Sequence, residues 1–337
     1  MKGILVGGGF ISRGHLEAYF RSSRLSVTAV ADKTRSRRDT VRRAFPELKV
    51  YDSLESALDE EDAQFVDICT PPGDHKALMI RALEAGKHVL CEKPLLLELT
   101  DYDQVRSMAD SVDRRVMAAH NYRFSPAARV MEEAVADHRF GSLLGGHFRT
   151  VRAGHAKGIR EYRPDWRRDP KIGGGGILTD HGPHSVYLAA MLVGRWPSRV
   201  SCLGGNLSED QWRDTEDSVW LTLDYDGIQF RVDLTWSGSE RSTQYLLWGA
   251  GGTVRVDGNA ITTAYGGTVD DKTVMSDFDD ATHRSWFGRV LDAFANCVDS
   301  HSLAAHTLHE PFMTSMVIEA AYRSMRSGGA WMKVPQL

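Results

Sequence analysis

Short apolar runs alternate with amphipathic stretches through the first third of the chain. Gly3 to Gly7, Ser26 to Ala31, Phe65 to Cys69, His88 to Cys91 and Arg115 to Ala119 have the length and β-branched content of buried strands. Between them, Arg13 to Arg21, Lys76 to Glu84 and Glu98 to Asp110 carry helical spacing, and Gly86 sits where a helix C-cap belongs. Strands alternating with helices predict a doubly wound parallel sheet, here a first domain over residues 1–122.

From Gly146 the pattern changes to alternation in and out. Trp220 to Tyr225 and Gln229 to Trp236, joined at Asp226-Gly227, predict an antiparallel hairpin. Arg199 to Gly204, Gln244 to Trp248 and Thr253 to Val256 predict further strands, and residues 283–299 and 308–326 two terminal helices. The expectation is a second, α+β domain over residues 123–337, with a large, mainly antiparallel sheet. One face of such a sheet is covered by helices and the other is free to pair with a second subunit.

Composition narrows the function classes. The chain has 337 residues, 42% hydrophobic and 26% charged, with a net charge of −4 and no basic tract. That profile disfavours a nucleic-acid partner. No apolar run reaches the roughly 18 residues a membrane span needs, and the first residues run straight into a strand, so a cytoplasmic protein is expected. Cys69, Cys91, Cys202 and Cys297 lack metal-ligand spacing and lie mostly in apolar segments, which supports neither a disulfide framework nor a metal site.

The chemistry begins at Gly7-Gly8-Gly9-Phe10-Ile11-Ser12, a glycine turn between a strand and a helix. Gly7 permits the tight turn, Gly9 lets a pyrophosphate approach the backbone, and Ser12 stands where a third glycine is usual. The second strand ends at Asp32, placed to accept from ribose hydroxyls and to repel a 2′-phosphate, which favours NAD. Lys33, Arg35, Arg37 and Arg38 follow, and cations there also suit the phosphate of NADP. Thr70-Pro71-Pro72-Gly73-Asp74-His75 and Glu92-Lys93-Pro94 each leave the end of a sheet strand, where ligands of open parallel sheets bind. Lys93 puts a cation at that crevice, whereas His75 and His88 read first as packed or capping groups.

A second cluster follows Gly173-Gly174-Gly175-Gly176, glycines that allow close backbone approach to a ligand. From Ile177 the residues enter a helix in which Asp180 and His184, four apart, project from one face as an acid/base pair. His181 faces elsewhere and is the weaker candidate, as is His120. The stretch 149–171 carries Arg149, Arg152, Lys157, Arg160, Arg163, Arg167, Arg168 and Lys171. Those cations suit an anionic substrate, a solvated loop or a subunit contact.

These residues together resemble the glucose-fructose oxidoreductase and inositol dehydrogenase family, known as Gfo/Idh/MocA. The marks are Gly7-Gly8-Gly9-Phe10-Ile11 with His15, Thr70-Pro71-Pro72 with His75, Gly86-Lys87-His88-Val89 leading to Glu92-Lys93-Pro94, Tyr122-Arg123-Phe124, Trp166-Arg167, and Gly174-Gly175 leading to Asp180 and His184. The resemblance implies a Rossmann domain, an α+β domain and a homodimer or homotetramer. It implies hydride transfer between NAD, or NADP, and a secondary alcohol of a sugar, cyclitol or related polyol. Gly7, Gly9, Phe10, Ile11, Asp32, Thr70, Pro71, His75, Glu92 and Lys93 would hold the cofactor. Lys93, Tyr122, Arg123, Trp166, Arg167, Asp180 and His184 would meet the substrate, with Lys93, Asp180 and His184 catalytic. His184 would serve as base towards alcohol, Lys93 would stabilise the reacting oxygen and Asp180 would hold Lys93. The same scaffold also serves glycosidases that oxidise transiently with bound NAD, reductases of imines or enones, and regulators that only sense a dinucleotide.

Overall fold

A computed structural model describes residues 1–158, 160, 163–208, 212, 214–274, 278, 283–300 and 304–336. The first domain runs β1 (Lys2–Val6), α1 (Ser12–Tyr19), β2 (Ser26–Ala31), α2 (Arg35–Ala44), β3 (Lys49–Tyr51), α3 (Leu54–Glu60), β4 (Phe65–Ile68), α4 (His75–Glu84), β5 (His88–Cys91), α5 (Leu99–Ser111) and β6 (Val116–Ala118). Its six strands lie in the order β3-β2-β1-β4-β5-β6, every pair parallel. Both faces are packed, so every residue of β4 is buried, Asp67 included, and in β5 only His88 is partly exposed. The order reverses between β1 and β4, so the loops leaving these strands diverge and open a crevice.

The second domain contributes α6 (Pro126–Ala136), β7 (Leu143–Val151), α7 (Pro170–Gly173), α8 (Ile177–Val193), β8 (Arg199–Gly205), β9 (Ser218–Asp224), β10 (Gln229–Thr235), β11 (Ser242–Gly249), β12 (Gly252–Asp257), β13 (Ala260–Tyr265), β14 (Thr268–Thr273), α9 (Arg284–Asp299), α10 (Ala304–Arg326) and β15 (Met332–Lys333). Its nine strands follow β14-β13-β12-β11-β7-β10-β9-β8-β15. The hairpin at Asp226-Gly227 forms as expected, both residues taking the positive φ that such two-residue turns require (53° and 106°). One pairing departs from the antiparallel expectation. β7 inserts between β10 and β11 and runs parallel to β10, with Phe148 opposite Val232. Gly145 and Gly146 make this possible, since a Cβ at either would strike Trp248 or Phe230.

Alternation places Phe230, Val232 and Leu234 of β10 against the helices and leaves Gln229 and Arg231 outside. The terminal helices belong to both halves. Phe287, Val290 and Phe294 of α9 pack with Leu16 and Tyr19 of the first domain, whereas Trp286 packs in the second. In α10, Leu308 joins the first-domain core and Met313 and Val317 the other. The two domains are thus clamped from one side. Among the described residues, no helix is long and apolar enough to cross a membrane.

Candidate active site

The crevice is a single cavity of about 570 Å³ that starts at the glycine turn of β1 and ends against α8. At its first end, Gly7 has a φ of 99°, and a Cβ there would press on the Cys69 carbonyl. Gly9 is different. Nothing in the protein lies within 4 Å of where its Cβ would be, and the open space is the cavity itself. Ser12, at the third-glycine position, is buried and returns its hydroxyl to the Gly9 carbonyl at 2.7 Å, so a small polar residue stitches the turn.

Asp32 ends β2 at the cavity wall. One carboxylate oxygen accepts from the Gly8 amide (2.7 Å) and the other from the Thr34 amide (2.7 Å), which fixes the group while leaving lone pairs for a ligand. Phe10, Ile11, Thr70, Pro71, Glu92 and Lys93 also line the cavity. Of the basic residues after Asp32, Lys33 and Arg37 reach it; Lys33 pairs with Asp74 at 3.0 Å, and Arg38 turns back to the Asp32 and Lys33 carbonyls. These residues fit a dinucleotide: an uncovered glycine for the pyrophosphate and an oriented acid for the ribose.

His75 does not reach the cavity. It is fully buried, with Nε2 2.9 Å from the Thr70 carbonyl and Nδ1 3.0 and 3.2 Å from those of Pro94 and Leu95. Burial pushes its protonation down by more than these carbonyls offset. It ties together the two loops that flank the ligand space, so its expected cofactor contact becomes a supporting one.

Beneath Lys93 lies a buried polar cluster. His15 of α1 bonds Asp67 through Nδ1 (2.7 Å) and Glu92 through Nε2 (3.1 Å), and the Tyr19 hydroxyl donates to Asp67 (2.9 Å). The donor atoms of His15, Asp67 and Cys69 lie within 4.8 Å of one another, but the His15 nitrogens are already engaged by carboxylates. Burial opposes a charge on His15, yet Asp67 outweighs it and raises its pKa well above the ordinary value. Burial likewise opposes the Glu92 anion, and His15 and Lys93 more than compensate. The other Glu92 oxygen accepts the Lys93 amide at 3.1 Å, so the cluster holds the chain where it enters the cis Lys93–Pro94 bond.

Lys93 spans the domains. Its Nζ donates to the Asp180 carbonyl at 2.7 Å and carboxylate at 3.2 Å. Arg167 adds a longer contact to the same carboxylate (3.4 Å) and lies over the Trp166 ring at 4.1 Å. Burial alone would raise the Asp180 pKa, but Lys93, then Arg167 and His181, hold it well below the usual carboxylate range. His184 is buried, stacks on Tyr122 with centroids 3.9 Å apart, and meets the Tyr187 hydroxyl through Nδ1 at 2.9 Å. Its pKa is pushed well below 6.5 by burial first, then by Lys93 and by His181, His283 and His120. Lys93, Tyr122, Trp166, Arg167, Asp180 and His184 all line the cavity.

Several expectations change. Arg123 turns away to pair with Glu310 of α10, which also binds His120 at 2.7 Å; this pairing clamps α10 and leaves Arg123 outside the cavity. The glycine run admits protein, not ligand: a Cβ on Gly175 would meet Tyr322 at 2.0 Å and one on Gly176 the Glu216 carbonyl at 1.9 Å. The Glu216 carboxylate accepts from the Gly176 and Leu178 amides (3.0 and 2.9 Å), capping α8 just before Asp180. Of the cations in 149–171, Lys157 and Arg167 face the cavity, while Arg152 and Arg168 are buried in the second domain. Lys157 and Arg163 pair with Asp165 and Asp169.

His181, Asn121, Arg241 and His283 line the cavity without having been singled out as primary site residues. His181 is one residue from Asp180, and its Nε2 lies 3.7 Å from that carboxylate. His283 caps α9 in the left-handed region (φ 48°) and reaches the Tyr122 hydroxyl at 3.2 Å. The available sequence signal was proximity for His181 and a lone histidine before a helix for His283; Arg241 is brought in only by tertiary folding.

The family model described as "Oxidoreductase family, NAD-binding Rossmann fold" matches residues 1–120, and the "GFO/IDH/MocA C-terminal domain" matches residues 128–255. The chain belongs to the Gfo/Idh/MocA family. Among curated relatives, it is 31% identical to levoglucosan dehydrogenase of Pseudarthrobacter phenanthrenivorans over 57% of this chain and 51% of that one. It is 27% identical to D-xylose 1-dehydrogenase (NADP(+)) 2 of Haloferax volcanii over 98% of each. The chain spans about half the length of several of the curated relatives it matches. Among solved structures, levoglucosan dehydrogenase in complex with NADH superposes with a TM-score of 0.85 over 100% of both chains at 20% identity, a likeness of fold.

Proposed function

We propose that this protein is a NAD-dependent dehydrogenase that transfers a hydride between the nicotinamide and a secondary alcohol or ketone of a sugar, cyclitol or related polyol. The observation that carries this reading is the Lys93–Asp180 pair, joined across the domains in the cavity that the glycine turn, Asp32 and His184 also line. Levoglucosan and xylose dehydrogenases among the relatives support a sugar as substrate. Asp32, fixed by two backbone amides at the expected ribose position, supports NAD over NADP.

A bound nicotinamide would supply the hydride acceptor, or donor in the reverse direction. Lys93 and His184 meet the reacting oxygen, and Asp180 orients Lys93. Arg167 is positioned for a neighbouring substituent of the substrate. Domain clamping by α9 and α10 keeps the two halves of the site in register. On the outer sheet face, Leu203 and Trp220 are exposed and directly opposite each other, which supports a homo-oligomer through that face.

The test is a panel of neutral sugars, sugar acids, sugar phosphates and cyclitols, with NAD and NADP in parallel, followed by absorbance of the reduced nicotinamide. Turnover with a polyol and a preference for NAD are expected. No turnover across the panel, together with no cofactor binding by calorimetry, would overturn the dehydrogenase reading. Release of an aglycone with no net change in cofactor would replace it with a glycosidase.

A further inference from the structure

His184 turns only part of its ring to the cavity. Its Nδ1 points inward to the hydroxyl of Tyr187, three residues on along α8, at 2.9 Å. The ring is stacked on Tyr122 with centroids 3.9 Å apart, which holds its orientation. Tyr187 is 1% exposed, and burial keeps its hydroxyl protonated by raising its pKa well above the ordinary value. That hydroxyl accepts the Tyr122 amide proton at 3.1 Å.

Hydrogen counting then decides the tautomer. A tyrosine hydroxyl has one proton, and with the amide proton of Tyr122 on its oxygen, the acceptor within reach of that proton is Nδ1 of His184. If Nδ1 carried the hydrogen instead, the buried hydroxyl would accept twice and its own proton would lose this partner. Among the described residues, no carboxylate bonds His184 to favour an imidazolium. After burial, the largest electrostatic influences on it, from Lys93, His181, His283 and His120, oppose one.

We propose, building on the dehydrogenase reading, that Tyr187 is a positioning residue that fixes His184 as the Nε2–H tautomer, so that His184 meets the reacting oxygen as a neutral hydrogen-bond donor and not as its base. In the oxidation direction, a bound nicotinamide would accept the C–H electron pair as hydride. The hydroxyl proton leaves to water by way of the Lys93–Asp180 pair as the C=O bond forms. His184 keeps its own proton throughout. Reduction reverses each transfer.

The test is ¹⁵N NMR of the histidine-labelled protein, free and saturated with NAD, with His184→Asn used to assign the resonances. A protonated Nε2 and a bare, hydrogen-bonded Nδ1 are expected near neutral pH. Tyr187→Phe should move the Nδ1 resonance and mix the tautomers, and should lower kcat by about 10²-fold with a smaller change in KM. A hydrogen on Nδ1 in the wild type, or a Tyr187→Phe spectrum identical to the wild type's, would overturn the proposal. The wild-type spectrum decides this even if the variant fails to fold. It needs no substrate, so an Nε2–H signal alongside an inactive polyol panel would sink the dehydrogenase reading and leave the tautomer standing.

Discussion

Lys93 and Asp180 come from different domains, yet the lysine Nζ holds both the backbone carbonyl and the carboxylate of the aspartate, at 2.7 and 3.2 Å. Each side chain is about 15% exposed, so the pair is only weakly screened. Lys93→Met should lower kcat by about 10³-fold, the scale of losing a charged donor at a reacting oxygen. Asp180→Asn should cost a similar factor. Because they act as one unit, the double variant should be no slower than the worse single variant by more than a few fold. Steady-state rates of all three variants check this; multiplying losses would show that the residues work separately.

Asp32 predicts cofactor choice. Its carboxylate is fixed by the Gly8 and Thr34 amides, and Lys33 and Arg37 stand beside it in the same cavity. Asp32→Ser should remove the repulsion of a 2′-phosphate and leave those cations to bind it. The ratio of kcat/KM for NADP over NAD should rise by about 10-fold or more, or about 1.4 kcal/mol. An unchanged ratio would remove Asp32 from the cofactor site.

Two glycines should respond in opposite ways. A methyl at Gly9 meets no protein atom within 4 Å and enters the ligand space, so Gly9→Ala should leave the denaturation midpoint near that of the wild type while weakening NAD binding about tenfold or more. A methyl at Gly176 would lie 1.9 Å from the Glu216 carbonyl, and relief of that clash would disturb the cap of α8. Gly176→Ala should lose about 2–3 kcal/mol in urea denaturation. Calorimetric titration and denaturation of the two variants separate the effects.

The buried His15 cluster predicts a pH dependence of stability. Because the folded-state pKa of His15 is raised, its contribution is fully present below the unfolded value of 6.5 and is lost as pH rises through the folded one. Glu92 has the opposite sign: its pKa is lowered, so its contribution is present above 4.5 and is lost as pH falls through the folded value. The stability difference between wild type and His15→Asn should therefore be largest between about pH 4.5 and 6.5 and shrink in alkali. Urea denaturation across pH measures it, and a difference that grows with pH would reverse the assignment.

Local pattern carried much of the fold. β2 and β5 lie at the residues their apolar runs mark, and the pair at Asp180 and His184 is brought to one cavity by the helix expected from Ile177. What the pattern lacked was information about distant partners. His75 and Arg123 are polar residues close in sequence to residues that line the cavity, but hydrogen-bond partners that draw them away, the carbonyls near Pro94 and the carboxylate of Glu310, are not their neighbours in the chain. The glycine run was visible while its reason, the approach of Glu216 and Tyr322, was not. Tyr187 was equally hidden, because an aromatic residue in an apolar helix gives no sign that its hydroxyl faces a histidine.

The parallel placement of β7 beside β10 has a consequence for how the protein assembles. Phe148 must wait for Val232 and Tyr245 before its strand has neighbours, and α8 lies within the stretch of chain that this pairing closes. Long-range closure of this kind is slow. The helix bearing Asp180 and His184 is therefore carried inside the loop of chain that this pairing closes. Damage to β10 or β11, far from any reacting atom, should appear as failure to gain activity during refolding.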